Sequence, residues 1–268
     1  MSALIRLFRR TKPIVAVVHT GPSPGAPGCL SVECVVNRAV AEARLFVELG
    51  VDGLLLQNRH DVPALDEVDM GPEVATFFTR VASEVKRHAR SLPVGVQVLS
   101  EAPCVAMAVA FAAGCDFVRT TGLTDAFGSR AERSAARLLR YRHEIGARHL
   151  PIFADLAPVG PRVDIRTQAT GALKHRVDAL VLSGERIGEP PSMEDVVEAT
   201  QAANLPLLIA GGLDADDLGE LADYADGFFV GSAFKEGGRW DAPVCEQRVR
   251  RLIGCIEYAR GQENSSVI

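Results

Sequence analysis

The strongest constraint on this chain is a rhythm. Eight short, almost wholly apolar runs, at residues 14–19, 53–57, 94–99, 117–120, 152–156, 179–183, 207–210 and 227–230, are separated by longer amphipathic stretches. Apolar runs of this length suit strands covered on both faces, as in all-parallel sheets. Their alternation with helical patterns predicts repeated βα units. Helices are expected at 31–49, 72–90, 131–145, 193–202 and 243–259. Ser31, Ser192 and Asp214 stand where N-caps belong, Gly50 and Gly146 where C-caps belong, and Pro93, Pro151 and Pro206 at the starts of strands. Within 268 residues and with no break in composition, eight such units predict one α/β domain, a closed (β/α)8 TIM barrel over 13–260. An N-terminal arm (1–12) and a flexible tail (261–268) flank it. A doubly wound open sheet is the alternative, but no G-x-G-x-x-G follows the first run.

Charge and cysteine usage narrow the class of partner. Lys and Arg total 29 against 34 Asp and Glu, a net charge of −5, so no global field draws nucleic acid to the chain. Six cysteines without a C-x-x-C pair point to a reduced, cytoplasmic protein without structural zinc. No apolar run reaches membrane-spanning length. The arginine-rich segment 5–10 reads as a weak peripheral contact for anionic lipid, a solvated arm, or a lid on the barrel's bottom. A homo-oligomer is the default expectation.

In such a barrel the active-site groups sit at the C-terminal ends of the strands. Ala210-Gly211-Gly212 after the seventh run and Val230-Gly231-Ser232 after the eighth place bare backbone N–H groups beside helix starts, where barrels hold phosphate. The other reading is that these glycines only make tight turns. Lys235, three residues beyond Ser232, would add a point charge to the same anion, or stand on the surface. His19, Asp61 and Asp155 are the candidate catalytic acid–base groups. Asp155 has a competing structural role, an inward ion pair with Arg119. Gln57, Asn58, Glu101, Arg119, Ser183 and Glu189 are candidate substrate contacts, Glu185 and Glu189 for ribose-like hydroxyls or as loop caps. The six-residue spacing of His143 and His149 is not that of a helical metal pair, and neither a P-loop nor a G-x-S-x-G elbow occurs. No metal ligand set is expected, no cofactor is firmly implied, and magnesium is compatible with a phosphorylated ligand. Lys174, expected on the helix before the sixth strand, leaves little room for Schiff-base chemistry.

From Lys12 to about Tyr258 the chain resembles the BtpA/SgcQ family of phosphate-binding TIM barrels. The resemblance is carried by His19 with Gly21-Pro22-Ser23-Pro24-Gly25, Gly50-Val51-Asp52-Gly53, Asn58 with Asp61 and Pro63, and Leu139-Arg140-Tyr141-Arg142. It continues in Ile152-Phe153-Ala154-Asp155, Gly188-Glu189-Pro190-Pro191, and Asp226-Gly227 through Val230-Gly231-Ser232 to Lys235. It implies a barrel of the ribulose-phosphate-binding type with a phosphate site at Gly211, Gly212, Gly231 and Ser232. One class in the family is named for photosystem I biogenesis, and others resemble sugar-metabolism enzymes. The chain departs from the family pattern at Gln57, where glutamate is usual, in the stretch Gln97 to Ala102, and after Asp155, where a lysine-histidine pair is replaced by Leu156-Ala157-Pro158-Val159-Gly160. Retained glycines beside a rewritten polar set suggest a divergent member.

These readings converge on an enzyme that binds a phosphorylated small molecule, a sugar phosphate or nucleotide-like compound, and performs acid–base isomerase, lyase or glycosyl-transfer chemistry. The alternative is a non-catalytic assembly or stability factor for a membrane or photosynthetic complex.

Overall fold

All eight apolar runs form parallel strands in the computed structural model of the chain, which describes residues 3–99, 101–124, 129–156, 164–186 and 188–265. The strands are β1 (Ile14–His19), β2 (Gly53–Gln57), β3 (Val94–Gln97), β4 (Phe117–Thr120), β5 (Ile152–Leu156), β6 (Ala179–Ser183), β7 (Leu207–Gly211) and β8 (Gly227–Val230). They pair in chain order, and β8 returns to β1 with Ile14 beside Phe228, so the closed sheet has no edge. Around them run α1 (Ala3–Phe8), α2 (Val32–Leu49), α3 (Pro72–His88), α4 (Pro103–Ala113), α5 (Ser129–Glu144), α6 (Ile165–Lys174), α7 (Met193–Ala202), α8 (Ala215–Leu221) and α9 (Glu246–Ser265).

Strand parity sorts side chains into two cores. Ile14, Ala16 and Val18 face the helices, as do Leu54 and Leu56 of β2. Val15, Val17, Leu55, Phe117, Phe153, Val181, Leu208 and Phe229 fill the barrel's interior. Large and small residues are matched there: a Cβ on Gly95 would lie 2.1 Å from the Phe117 ring, so the glycine makes room for it. Phe117 stacks on Phe153 at 5.0 Å between ring centroids. The same parity carries His19, Gln57, Gln97, Arg119, Asp155 and Ser183 to the upper, C-terminal end of the interior.

The bottom of the barrel is closed by the chain's own start. Leu4 and Phe8 of α1 join the interior core, with Phe8 edge-on to Phe117 at 5.8 Å. Of the three readings of this segment the lid is the one adopted, and Arg10 reaches Asp52 at 3.1 Å and Glu257 at 2.9 Å. On the same face an aspartate before every even strand accepts a hydrogen bond from the first N–H of the preceding odd strand. The pairs are Asp52 with Ile14 (2.9 Å), Asp116 with Val94 (2.7 Å), Asp178 with Ile152 (2.8 Å) and Asp226 with Leu207 (2.9 Å). The first N–H of each odd strand thereby gains a carboxylate acceptor.

Most helix boundaries follow from capping. The Ser31 and Ser192 hydroxyls accept from the third residue on, and Gly50 closes α2 at φ 88°. Several boundaries differ from expectation, among them the end of β3 and both ends of the last helix. β3 stops at Gln97 because the Asn58 side chain occupies both backbone groups of Leu99. The last helix starts at Glu246, not 243, since Val244 is bridged to Lys235, and it runs on to Ser265, past the point where fraying was expected. α4 gives no amphipathic signal because its exposed face is apolar as well, with Phe111 42% exposed.

Candidate active site at the barrel mouth

A cavity of about 470 Å³ opens at the C-terminal ends of the strands. Its floor is a chain of hydrogen bonds across four consecutive strands. Arg119 grips both carboxylate oxygens of Asp155, with Nε 3.1 Å from each and Nη2 2.6 Å from Oδ1. Gln97 Nε2 donates to Asp155 Oδ2 at 3.1 Å, and Gln57 Nε2 donates to Gln97 Oε1 at 2.7 Å. Below, the Arg119 guanidinium lies 4.8 Å from the centre of the Phe229 ring, a cation–π seat. Burial pushes the Asp155 carboxyl above its ordinary range, while Arg119 and then Gln97 pull against that shift.

The wall beside β1 is built from side chains of three segments. His19 Nδ1 lies 3.2 Å from the Trp240 carbonyl oxygen, and the two rings meet edge to face at 5.9 Å. Arg59 sits 5.6 Å from the Trp240 ring centre and the His60 ring 4.7 Å from it. Burial drives the His19 imidazole down to about 3, with the nearby Lys235 charge adding to the effect, so the ring is neutral at physiological pH. Burial also lowers His60.

Glycines form the opposite rim. Gly211, at φ 135°, is crossed by the Glu189 backbone, whose carbonyl would lie 2.4 Å from a Cβ there, and Gly212 is crossed by the Gly188 carbonyl. These two therefore serve the packing of the loop after β6 whatever else they do. The N-terminus of α8 is already claimed by acids, with the Asp214 and Asp217 carboxylates accepting each other's N–H at 2.8 and 2.9 Å. At the end of β8 the arrangement is open. Gly231 starts a 3₁₀ turn (Ser232–Phe234) whose internal bonds use the N–H groups of Phe234 and Lys235 and leave those of Ser232 and Ala233 outside them. Gly231 and Ser232 line the cavity next to His19, and a Cβ on Gly231 would stand 3.2 Å from the imidazole Cε1.

Of the sequence candidates, His19, Gln57, Glu101, Arg119, Asp155, Ser183, Gly211, Gly231 and Ser232 line this cavity together. Five others are placed elsewhere. Asp61 clamps the loop after β1, accepting from Ser23 N and Oγ at 2.7 Å each and from Asn58 at 3.0 Å. Asn58 is spent on that clamp and on Leu99. Lys235, 2% exposed, turns away from the mouth to meet Glu42 of α2 at 2.5 Å. The Glu189 side chain points outward toward Arg186, and Gly212 lies beneath the loop. Ser100 and residues 157–160 lie outside the described residues. Sequence reasoning missed Gln97, Arg59 and Trp240. Parity would have found Gln97, which stands at the same level as Gln57, whereas the approach of Trp240 from the final loop has no local signal. No cluster of three or more His, Cys, Asp or Glu with metal-holding geometry occurs among the described residues.

The chain matches the BtpA family over residues 10–258. It belongs to that family. An uncharacterised protein of Archaeoglobus fulgidus is 34% identical over 248 residues, covering 90% of this chain and 97% of the relative. The photosystem I biogenesis protein BtpA of Synechocystis is 31% identical, covering 93% and 90%. Among solved structures, (S)-3-O-geranylgeranylglyceryl phosphate synthase of Thermoplasma acidophilum, in complex with sn-glycerol-1-phosphate, superposes with a TM-score of 0.61 at 13% identity, covering 96% and 99%. That likeness is one of fold, and this BtpA-family chain is a TIM barrel. Among the described residues no helix is long and apolar enough to cross a membrane.

Proposed function

We propose that the barrel mouth binds a phosphorylated small molecule, a sugar phosphate or a nucleotide-like compound, and carries out acid–base isomerase, lyase or glycosyl-transfer chemistry on it. The observation that carries this reading is the Gly231-Ser232 turn, which lines a cavity floored by titratable and amide side chains and whose internal hydrogen bonds leave the Ser232 N–H outside them. The phosphate sits there, with Gly211 on its other side. The Thermoplasma barrel, solved with sn-glycerol-1-phosphate, supports the assignment by fold.

Two side chains carry the chemistry. His19, neutral with Nδ1–H committed to the Trp240 carbonyl, offers Nε2 as acceptor or base. Asp155, raised by burial and held by Arg119, is the second proton-handling group. Asp61 takes no part, being a clamp on the neighbouring loop.

A thermal-shift screen against phosphate, sugar phosphates, phosphoribosyl diphosphate and nucleotides, with and without magnesium, tests the binding. A compound at 100 times its Kd adds about 2.7 kcal/mol of stability. Asp155→Asn is expected to bind the responding compound and fail to turn it over. Loss of folding in that variant would assign Asp155 to the ion pair alone, and a flat screen would reduce the glycines to tight turns. The second reading, a non-catalytic assembly factor, is favoured by the Synechocystis relative's name and by Val62, Leu65 and Val68, apolar residues exposed near the mouth (Val68 80%). It predicts that Asp155→Asn retains full biological function.

A further inference from the structure

The direction of two hydrogen-bond chains determines what the β1–β2 side of the cavity offers a ligand. The first chain starts at Trp240. A backbone carbonyl only accepts, so the 3.2 Å contact puts the proton of His19 on Nδ1 and leaves Nε2 with a lone pair. The neutrality of the ring follows from its burial and agrees with that tautomer.

The second chain starts at Arg119. Its guanidinium only donates, which fixes the Asp155 oxygens as acceptors. Gln97 must therefore turn its amide N–H toward Asp155 and its Oε1 toward β2. Gln57 meets that oxygen with its own N–H, so Gln57 Oε1 remains as an acceptor. An amide flip at either glutamine would set oxygen against oxygen and leave a donor unpaired. The orientation of Gln57 on β2 is thus dictated from β4, two strands away.

His19 and Gln57 are direct partners in the β1–β2 register, each at the last position of its strand, and both line the cavity. We infer that the His19 Nε2 and Gln57 Oε1 atoms form a side-by-side acceptor pair next to the Gly231-Ser232 turn, selecting a phosphorylated polyol that presents adjacent hydroxyl donors over a phosphorylated carbonyl compound of the same size. This inference deepens the phosphate reading and rests on it for the anchor. It also assigns Gln97, through Gln57, a positioning role in specificity.

The test uses the 268-residue chain and its single tryptophan, Trp240, whose fluorescence reports on the wall of the cavity. Three phosphates of equal charge and similar size are titrated: glycerol 3-phosphate, which has two hydroxyl donors, acetol phosphate, which has a carbonyl acceptor, and n-propyl phosphate, which has neither. Glycerol 3-phosphate is expected to bind at least about tenfold more tightly than either of the others. In Gln57→Met, checked for an unchanged melting temperature, that advantage should fall to about threefold or less. Equal binding of all three, or tighter binding of acetol phosphate, overturns the acceptor pair and leaves the phosphate site standing. If none of the three binds and inorganic phosphate does not either, the phosphate reading fails. The acceptor pair is then decided by erythritol against butane-2,3-dione: binding of erythritol alone supports it, and binding of the dione, of both equally or of neither overturns it.

Discussion

Asp178 and Ile152 exchange two hydrogen bonds at the bottom of the barrel. The Asp178 N–H donates to the Ile152 carbonyl and the Ile152 N–H donates to the Asp178 carboxylate, each at 2.8 Å. The same exchange joins Asp52 to Ile14, Asp116 to Val94 and Asp226 to Leu207, so four reciprocal clamps link each odd strand to the even one after it. Asp178→Ala should lower stability by about 1–2 kcal/mol in urea denaturation, since a charged acceptor is lost from a half-buried strand start. Ligand binding at the opposite face should be unchanged, and a binding defect of the same size as the stability loss would disprove the separation of the two faces.

The Lys235–Glu42 pair holds the last loop against α2. Lys235 also lies 5.9 Å from the centre of the Phe46 ring. Lys235→Met leaves Glu42 without its counter-charge and is expected to cost about 3 kcal/mol, part of which Glu42→Leu in the same chain restores. Calorimetry on the two variants checks this. A Lys235→Met protein of normal stability that no longer binds phosphate would return the lysine to the anion site.

Acid should weaken this fold partly through His19. The unfolded chain's imidazole titrates near 6.5 and the folded one near 3, so between those values the unfolded state binds the extra proton. The stabilisation is complete above pH 6.5 and is lost as pH falls toward 3. The slope from this group approaches about 1.4 kcal/mol per pH unit within the window. Denaturation curves from pH 7.5 to 5.0 should be flatter for His19→Gln than for the natural sequence; parallel curves would mean that the ring is not buried neutral.

Removing the bottom plug should cost as much as a core truncation. Phe8 is 6% exposed, touches Phe117, and fills the space left by Gly53, where a Cβ would come within 2.7 Å of its ring. Phe8→Ala is expected to destabilise by about 3 kcal/mol. A loss below about 0.5 kcal/mol, the range of ordinary surface substitutions, would show α1 to be a solvated arm.

The barrel was legible because its signal is local and repeated. Eight apolar runs with caps between them specify strands and helices residue by residue, and six of the eight strands have the expected limits. The bottom clamps have a sequence signature as well, an apolar residue followed by aspartate ahead of every even strand: Val51-Asp52, Cys115-Asp116, Val177-Asp178 and Ala225-Asp226. α4 escaped because a helix apolar on all sides has no period to detect.

The candidate site was legible only as far as strand parity reaches. Knowing where each strand ends places His19, Gln57, Arg119, Asp155 and Ser183 at the mouth, because successive side chains alternate between interior and exterior. The choices that closure of the sheet made are of another kind. Asp61 and Lys235 carry charges that suit a catalytic pocket, yet the fold brings Ser23 and Glu42 within reach of them first, and a charge withdrawn from water, partly for Asp61 and wholly for Lys235, goes to the partner that satisfies it. Trp240 reaches His19 across 221 residues of sequence. The sequence by itself thus determined the barrel and the layer of polar ends. Only the tertiary structure decided which of those ends remain open to a ligand, because a polar group's availability depends on what has already paired with it in three dimensions.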